Sequence, residues 1–265
     1  MNSAIASGVP LAFKVRQGPG RSPVLVDNAG RDVFKVEARH LTGHQREAVV
    51  TEGASGSAWR VISDEGLHLK GTDLAPFPFG YFNAGLQGDL IHRIRSGAIA
   101  GGITLDQLEI HLANEYWLTG SFVLGTGQGH AEPTQIEVSV RSAASPEEIS
   151  KLVSGAVAAS PAMALLRTPL TSTFALYING RRRAVAGVVN SAAPDAQDPF
   201  AAYASAPEPL NTGDARSDLI EKTARRQDGT PALAPSGTTT RIVRKVKGEG
   251  RLVDSTGLTE IETWL

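Results

Sequence analysis

PFPFGYFNAGLQGDLIHRIRSGAIA, residues 76–100, is the stretch whose reading decides the architecture. Pro76 and Pro78 can open a helix but cannot continue one, because proline lacks an N–H and fixes φ. Behind them Phe79, Phe82, Leu86, Leu90 and Ile94 recur at helical spacing, with Ile91 beside them. Gly80, Gly85 and Gly88 lower the intrinsic helix propensity. A helix that carries glycines on its surface usually packs closely against something. The spacing therefore predicts a buried, central helix that ends at Gly101-Gly102.

Strands are expected on both sides of it. Upstream, residues 11–17 alternate, with Leu11, Phe13 and Val15 on one side. Pro23–Val26 and Asp32–Ala38 read as a hairpin around Asp27-Asn28-Ala29-Gly30, with Phe34, Val36 and Ala38 facing one way and Lys35, Glu37 and Arg39 the other. Trp59–Ser63 is a further strand. Downstream, Leu108–Leu118 and Gln135–Val140 alternate and are β-rich. Ser145-Pro146-Glu147-Glu148 is a helix start with a capping serine, proline at the first helical position and the glutamate of a capping box. Ile149, Leu152, Val153 and Ala156 then share one face. Pro161 interrupts this helix, and Ser160 is placed to cap a second one through Arg167. Thr173–Ile178 is a closing strand before the Asn179-Gly180 turn. Beyond Arg183 the Ala- and Pro-rich stretch Ser191–Pro209 reads as a linker, and 241–264 recovers strand-like content with Arg241, Arg244, Lys245, Lys247 and Arg251. The expected blocks are a domain over 1–183, a linker region over 184–240 and a C-terminal extension over 241–265.

Composition narrows the function classes. Of 265 residues, 41% are hydrophobic, enough for a real core, and the formal net charge is -1. Nothing global draws such a chain to nucleic acid or to a membrane. There is no cysteine, so disulfides, thiolate metal sites and thiol nucleophiles are all excluded. No signal peptide or membrane-length apolar run is evident, and a soluble cytoplasmic protein is the expectation.

The order of strands, central helix, strands, capped helix, Xaa-Pro helix and strand resembles the OsmC/Ohr family. Ser63-Asp64-Glu65 with Gly71 and Pro76 is similar to the family segment leading into its central helix. Pro76 through Gln87, with Phe79-Gly80-Tyr81, resembles the stretch from the motif proline to the first reactive cysteine. Gly102-Ile103-Thr104-Leu105-Asp106 resembles the following loop, and Ala159-Ser160-Pro161-Ala162-Met163-Ala164-Leu165 the segment of the second cysteine. The match spans roughly residues 10–180. It implies an α+β fold, antiparallel sheets around a buried central helix, and an intertwined homodimer with two sites at the subunit interface. Better-known members reduce organic hydroperoxides with two cysteines, an arginine and a glutamate. Here the first cysteine falls at Gln87, or at Asp89 if the register moves by two, and the second at Ser160. The glutamate falls at Phe77 or Phe79. The arginine matches Arg21 or Arg31 by region only. Thiol peroxidase chemistry needs a thiolate and is expected to be absent.

Two functional classes remain open. In the first, a pocket at the dimer interface binds a small organic ligand through Asn83 and Gln87, walled by Phe77, Phe79 and Tyr81. The plainer account of the two amides is that they hydrogen-bond a partner subunit or nearby backbone. In the second, a non-thiol hydrolase or lyase uses Asp89 and His92 as acid–base groups, with Ser160 and Gln87 as hydrogen-bond donors. Asp89 and Arg93, at i and i+4, also fit an ordinary ion pair, and Ser160 an ordinary helix cap. His92, His111 and His130 lack metal-ligand spacing, so no metal and no cofactor is expected. Gly125-Thr126-Gly127-Gln128-Gly129 precedes a strand, not a helix, so it lacks the geometry of a phosphate loop. Arg181-Arg182-Arg183 and the basic tail read as solvated charge, with no nucleic-acid partner.

Overall fold

The computed structural model describes residues 11–15, 30, 33–53, 55–121 and 124–195, together with the backbone of Ile242–Val253 and Leu258–Trp264. In chain order its strands are β1 (Ala12–Lys14), β2 (Lys35–His40), β3 (Arg46–Thr51), β4 (Ala58–Ser63), β5 (Gln107–Thr119), β6 (Gln128–Ala131) and β7 (Gln135–Arg141). They continue with β8 (Thr173–Phe174), β9 (Leu176–Ile178), β10 (Arg181–Arg183), β11 (Val189–Asn190), β12 (Ile242–Val253) and β13 (Leu258–Trp264). Among the described residues the α-helices are α1 (Pro78–Ala100), α2 (Pro146–Ala159) and α3 (Pro161–Arg167). The chain is thus mixed α and β, and its larger sheets are antiparallel. It divides into two compact units: Met1–Phe77 with Thr171–Arg226, and Pro78–Leu170 with Gln227–Leu265. Arg21, Arg31, Pro23–Val26 and most of the expected linker (196–240) lie outside the described residues.

In the first unit the sheet order is β1-β4-β3-β2. The register sets Phe13 opposite Arg60, Arg60 opposite Val49, and Val49 opposite Glu37, so these residues share a face. That face buries Phe13, Val15, Val49, Ala58 and Ile62. It also buries charge. Arg60 Nε donates to Glu47 Oε1 at 2.9 Å and Arg39 Nε to Glu47 Oε2 at 2.7 Å, while the Arg60 guanidinium lies 5.1 Å from the Phe13 ring centroid. This network explains a departure from expectation in β2. The alternation of residues 34–39 is present, but its apolar side points outward: Phe34 and Val36 are 66% and 60% exposed. Lys35, Glu37 and Arg39 are half-buried instead, because Arg39 lies opposite Glu47 and Lys35 pairs with Glu37 at 2.9 Å. The hairpin partner of β2 among the described residues is β3, which was not expected. Its Ala48-Val49-Val50 run has no polar alternation to betray a strand.

The expected strand 173–178 is split at Ala175 into β8, which pairs in parallel with β11, and β9, which forms a hairpin with β10. The hairpin turns at Asn179 (φ 52°) and Gly180 (φ 76°). Both central residues are left-handed, as a tight primed turn requires. Arg182 donates to the carbonyls of Ser191 and Ala193 and pairs with Asp195 at 3.0 Å, so the middle arginine of the triplet fastens the following loop.

The second unit is built on one five-stranded sheet of order β13-β12-β5-β6, with β7 also paired to β5. The C-terminal extension supplies β12, which runs antiparallel to β5 from Ile242 opposite Leu118 to Arg251 opposite Glu109. The buried side of α1 comprises Gly80, Asn83, Leu86, Gln87, Leu90, Ile91, Ile94 and Ala98. Leu90, Ile91 and Ile94 meet Leu108, Ile110 and Ala156, with Val138, Val140, Leu152 and Val153 packed around them. At Gly97 an added Cβ would stand 2.8 Å from Leu152 Cδ1, so α1 and α2 approach closely there. At the start of α2 the capping box forms as expected: the Glu148 N–H donates to Ser145 Oγ, and the Ser145 N–H donates to the Glu148 carboxylate. No single helix among the described residues is long and apolar enough to cross a membrane.

Candidate functional site

Helix α1 presents two polar groups to the core, one turn apart, and β5 meets them with a third. The even-numbered residues Leu108, Ile110, Leu112 and Asn114 point inward from β5, and all four are buried. Asn114 Nδ2 donates to Asn83 Oδ1 at 2.6 Å, and Gln87 Nε2 donates to the Ile110 carbonyl at 3.0 Å. Half of each amide remains unused. Among the described residues, Asn83 Nδ2, Gln87 Oε1 and Asn114 Oδ1 are buried without a hydrogen-bond partner. A buried polar atom left in this way costs about 1–3 kcal/mol. Two acceptors and one donor are thus gathered in an otherwise apolar layer.

One turn before Asn83 on α1, and two residues beyond Asn114 on β5, an aromatic pair continues the same two faces. Phe79 stacks on Tyr116 with ring centroids 4.3 Å apart and planes 8° from parallel. Phe79 remains 42% exposed, so this end of the layer reaches the surface. Burial raises the Tyr116 phenol above its ordinary value. Tyr81 and Phe77 are half-buried; Phe77 closes the first unit and Tyr81 belongs to the second.

A second cluster joins α1 to the α2–α3 junction. Ser160 is buried; it ends α2 and caps α3, accepting from the Met163 N–H at 2.9 Å. Its hydroxyl donates to Asp89 Oδ2 at 2.5 Å. Arg93 Nε holds the same carboxylate at 2.9 and 3.1 Å from its two oxygens. The cap and the i, i+4 ion pair are both as expected from spacing. The Asp89–His92 pairing is not formed: His92 is exposed, and the Asp89 oxygens are taken by Arg93 and Ser160. Asn114 is the residue that sequence reading missed, although its signal was present in the inward phase of the β5 alternation.

The other histidines stand apart. His111 is exposed, 4.0 Å from Glu109, and His130 stacks on Trp117 at 5.2 Å and meets the Thr119 hydroxyl at 2.9 Å. Among the described residues no group of His, Asp and Glu side chains is arranged to hold a metal ion. The glycine-rich stretch 125–129 runs into β6 and lies on no helix N-terminus.

No protein-family model matches this chain, and no curated protein matches it. Among solved structures it is similar to an OsmC-like hydroperoxide resistance protein from Jannaschia sp. CCS1, at 19% sequence identity and a TM-score of 0.35, over 57% of this chain and 97% of that one.

Proposed function

We propose that this chain is an OsmC-like protein without thiol chemistry, and that it binds a small organic molecule at the amide cluster of α1 and β5. One observation carries the reading: Asn83 Nδ2, Gln87 Oε1 and Asn114 Oδ1 are all buried and have no partner among the described residues. A ligand offering one acceptor and two donors, such as a small carbonyl compound bearing N–H or O–H groups, would recover what those atoms lose by burial. The stacked Phe79 and Tyr116 supply an apolar wall at the exposed end. The family resemblance puts a pocket of this kind at a subunit interface, where it would be completed by a second copy.

The test is calorimetric binding of small amides and hydroxy-carbonyl compounds to the full chain, repeated with Gln87→Leu. Leucine keeps the apolar volume and removes the unpaired acceptor, so affinity should fall roughly tenfold, equivalent to about 1.4 kcal/mol. A ligand that binds Gln87→Leu as well as the wild type would remove Gln87 from the site. Binding by neither protein, with Gln87→Leu the less stable, would show that the amides are purely structural. The purified protein should also fail to reduce organic hydroperoxides above the buffer rate, since it has no thiol to oxidise.

The short Ser160–Asp89 hydrogen bond favours one alternative, a non-thiol hydrolase or lyase in which Asp89 draws the proton from Ser160. In that reading Asp89→Asn abolishes turnover, and His92→Ala, which alters an exposed side chain, leaves it unchanged.

A further inference from the structure

Strand β5 changes partners along its length. Residues 107–113 pair with β7, and residues 116–119 pair with β6. Asn114 and Glu115 fall between the two, where 132–134 connects β6 to β7. Pro133 has no N–H to add to a ladder, and the last bond there runs from the Glu132 N–H to the Glu115 carbonyl at 2.9 Å. A cavity of about 300 Å³ opens at this gap, and Asn114, Glu115 and Glu132 line it together with Thr134 and Gln135. Its charge is one-sided: among the described residues two carboxylates line it, and no Lys, Arg or His does. Neither Glu115 nor Glu132 makes an ion pair among the described residues. The backbone register sets Lys245 of β12 opposite Glu115, on the side of β5 away from the gap, and gives Glu132 no such neighbour.

Asn114 belongs both to this cavity wall and to the amide cluster. It is 1% exposed, and its Oδ1 has no partner among the described residues. Side chains alternate along a strand, so Asn114 turns to the core and Glu115 to the outer face. A cavity that both residues line therefore lies in the gap itself, between the two faces of the sheet. We propose that the gap is a cation-binding subsite: the molecule held by the amide cluster carries an ammonium or guanidinium group, which donates to Asn114 Oδ1 and to the carboxylates of Glu115 and Glu132. This rests on the ligand reading above and adds the charge of the ligand. A neutral N–H donor would satisfy Asn114 and leave the carboxylates without a counter-charge, whereas a cation serves all three groups through charge-assisted hydrogen bonds. The volume stands at the small end of ligand pockets, which suits a short aminoalkyl group. The carbonyl of the same molecule would then accept from Asn83 Nδ2, and an amide N–H would donate to Gln87 Oε1.

The test is calorimetric titration of the full chain with two probes of like size, β-aminopropionamide, which is cationic, and β-hydroxypropionamide, which is neutral. The amine should bind roughly tenfold tighter than the alcohol. The double variant Glu115→Gln/Glu132→Gln keeps the shape of both side chains and should preserve the circular dichroism spectrum. It should weaken the amine roughly tenfold and leave the alcohol unchanged. Raising the salt from about 0.1 M to about 1 M shortens the screening length from about 10 Å to about 3 Å and should weaken the amine alone. Equal affinity for the two probes, or an amine affinity that the double variant does not move, would overturn the proposal. Alcohol binding that still falls in Gln87→Leu would in that case leave the amide-cluster reading standing. An amine that responds to the double variant but not to Gln87→Leu would support the cation site and sink the amide-cluster reading. Failure of both probes to bind would overturn both.

Discussion

Replacing Asp64 by alanine is expected to destabilise the first unit by roughly 3–5 kcal/mol, because it strands several buried donors at about 1–3 kcal/mol each. The Asp64 carboxylate is fully buried and accepts four hydrogen bonds: from the Glu65 N–H at 2.8 Å, the Thr72 N–H at 3.2 Å, the Thr72 hydroxyl at 2.5 Å and the Leu74 N–H at 3.2 Å. These donors come from a loop of otherwise costly backbone, with Lys70 at φ 62° and Asp73 at φ 57°. Hydrogen bonds to a charged group contribute about 1.5–3 kcal/mol each, net of the hydration they replace. Burial pushes the Asp64 pKa up, but the hydrogen bonds from Thr72, Leu74 and Glu65 outweigh it, and the net direction is downward from 3.8. The sign of the pH dependence follows. A carboxyl with a depressed folded pKa contributes its full stability above the unfolded value and loses it as pH falls through the folded one. The gap between wild type and Asp64→Ala in urea unfolding should therefore hold at neutral pH and narrow below 3.8. A gap under about 1 kcal/mol at pH 7 would mean the loop draws its stability from elsewhere. Gly71→Ala should cause a comparable loss by another route, since its Cβ would stand 1.8 Å from the Glu65 carbonyl oxygen and backbone must move to admit it.

The same loop shows what was legible in the sequence. Ser63-Asp64-Glu65, Gly71 and Pro76 stood out as a group, yet nothing in their spacing says that the carboxylate is the acceptor around which the loop closes. Periodicity did better with regular elements. The helix over 76–100 is found as Pro78–Ala100, and the strands over 108–118 and 135–140 are found as Gln107–Thr119 and Gln135–Arg141. Alternation identifies a strand but not which of its faces is buried. Phe34 and Val36 are outside because the pairing of β2 with β3 turns Glu37 and Arg39 toward Glu47 and Arg60. That choice depends on a partner strand whose own sequence, Arg46 to Thr51, carries no clear alternation.

The candidate site divides along the same line. Local terms were visible: the Ser160 cap depends on Pro161 and Met163, and the Asp89–Arg93 pair on one helical turn. The contact that unites them, Ser160 to Asp89, spans 71 residues and is set by how α1 meets the α2–α3 junction. Asn83 and Gln87 were legible as buried amides because they share the phase of Leu90 and Ile94, and Asn114 shares the phase of Leu108 to Leu112. Which half of each amide would find a partner was not, because that depends on the offset between a helix rising about 1.5 Å per residue and a strand rising about 3.3 Å.

That long-range contact gives the second large effect. Ser160→Ala should destabilise the second unit by about 2–4 kcal/mol. The hydroxyl does two things at once: it caps α3 through the Met163 N–H, a contribution of about 1 kcal/mol, and it donates to an ionised carboxylate, a further 1.5–3 kcal/mol. Asp89→Ala removes the second of these and the Arg93 ion pair, worth about 0.5 kcal/mol, but leaves the cap, so it should cost somewhat less than Ser160→Ala. Arg93→Ala should cost least, about 0.5 kcal/mol, because its ion pair is open to solvent. The decisive quantity is the coupling between Ser160→Ala and Asp89→Ala in a double-mutant cycle, expected at roughly 1–2 kcal/mol for groups in direct contact. Additive effects would mean that the 2.5 Å hydrogen bond does not persist in solution. Coupling would establish that a hydroxyl and a carboxylate 71 residues apart hold α1 to the α2–α3 junction. The stability difference between wild type and Ser160→Ala should be insensitive to reductant, since the link contains no sulfur.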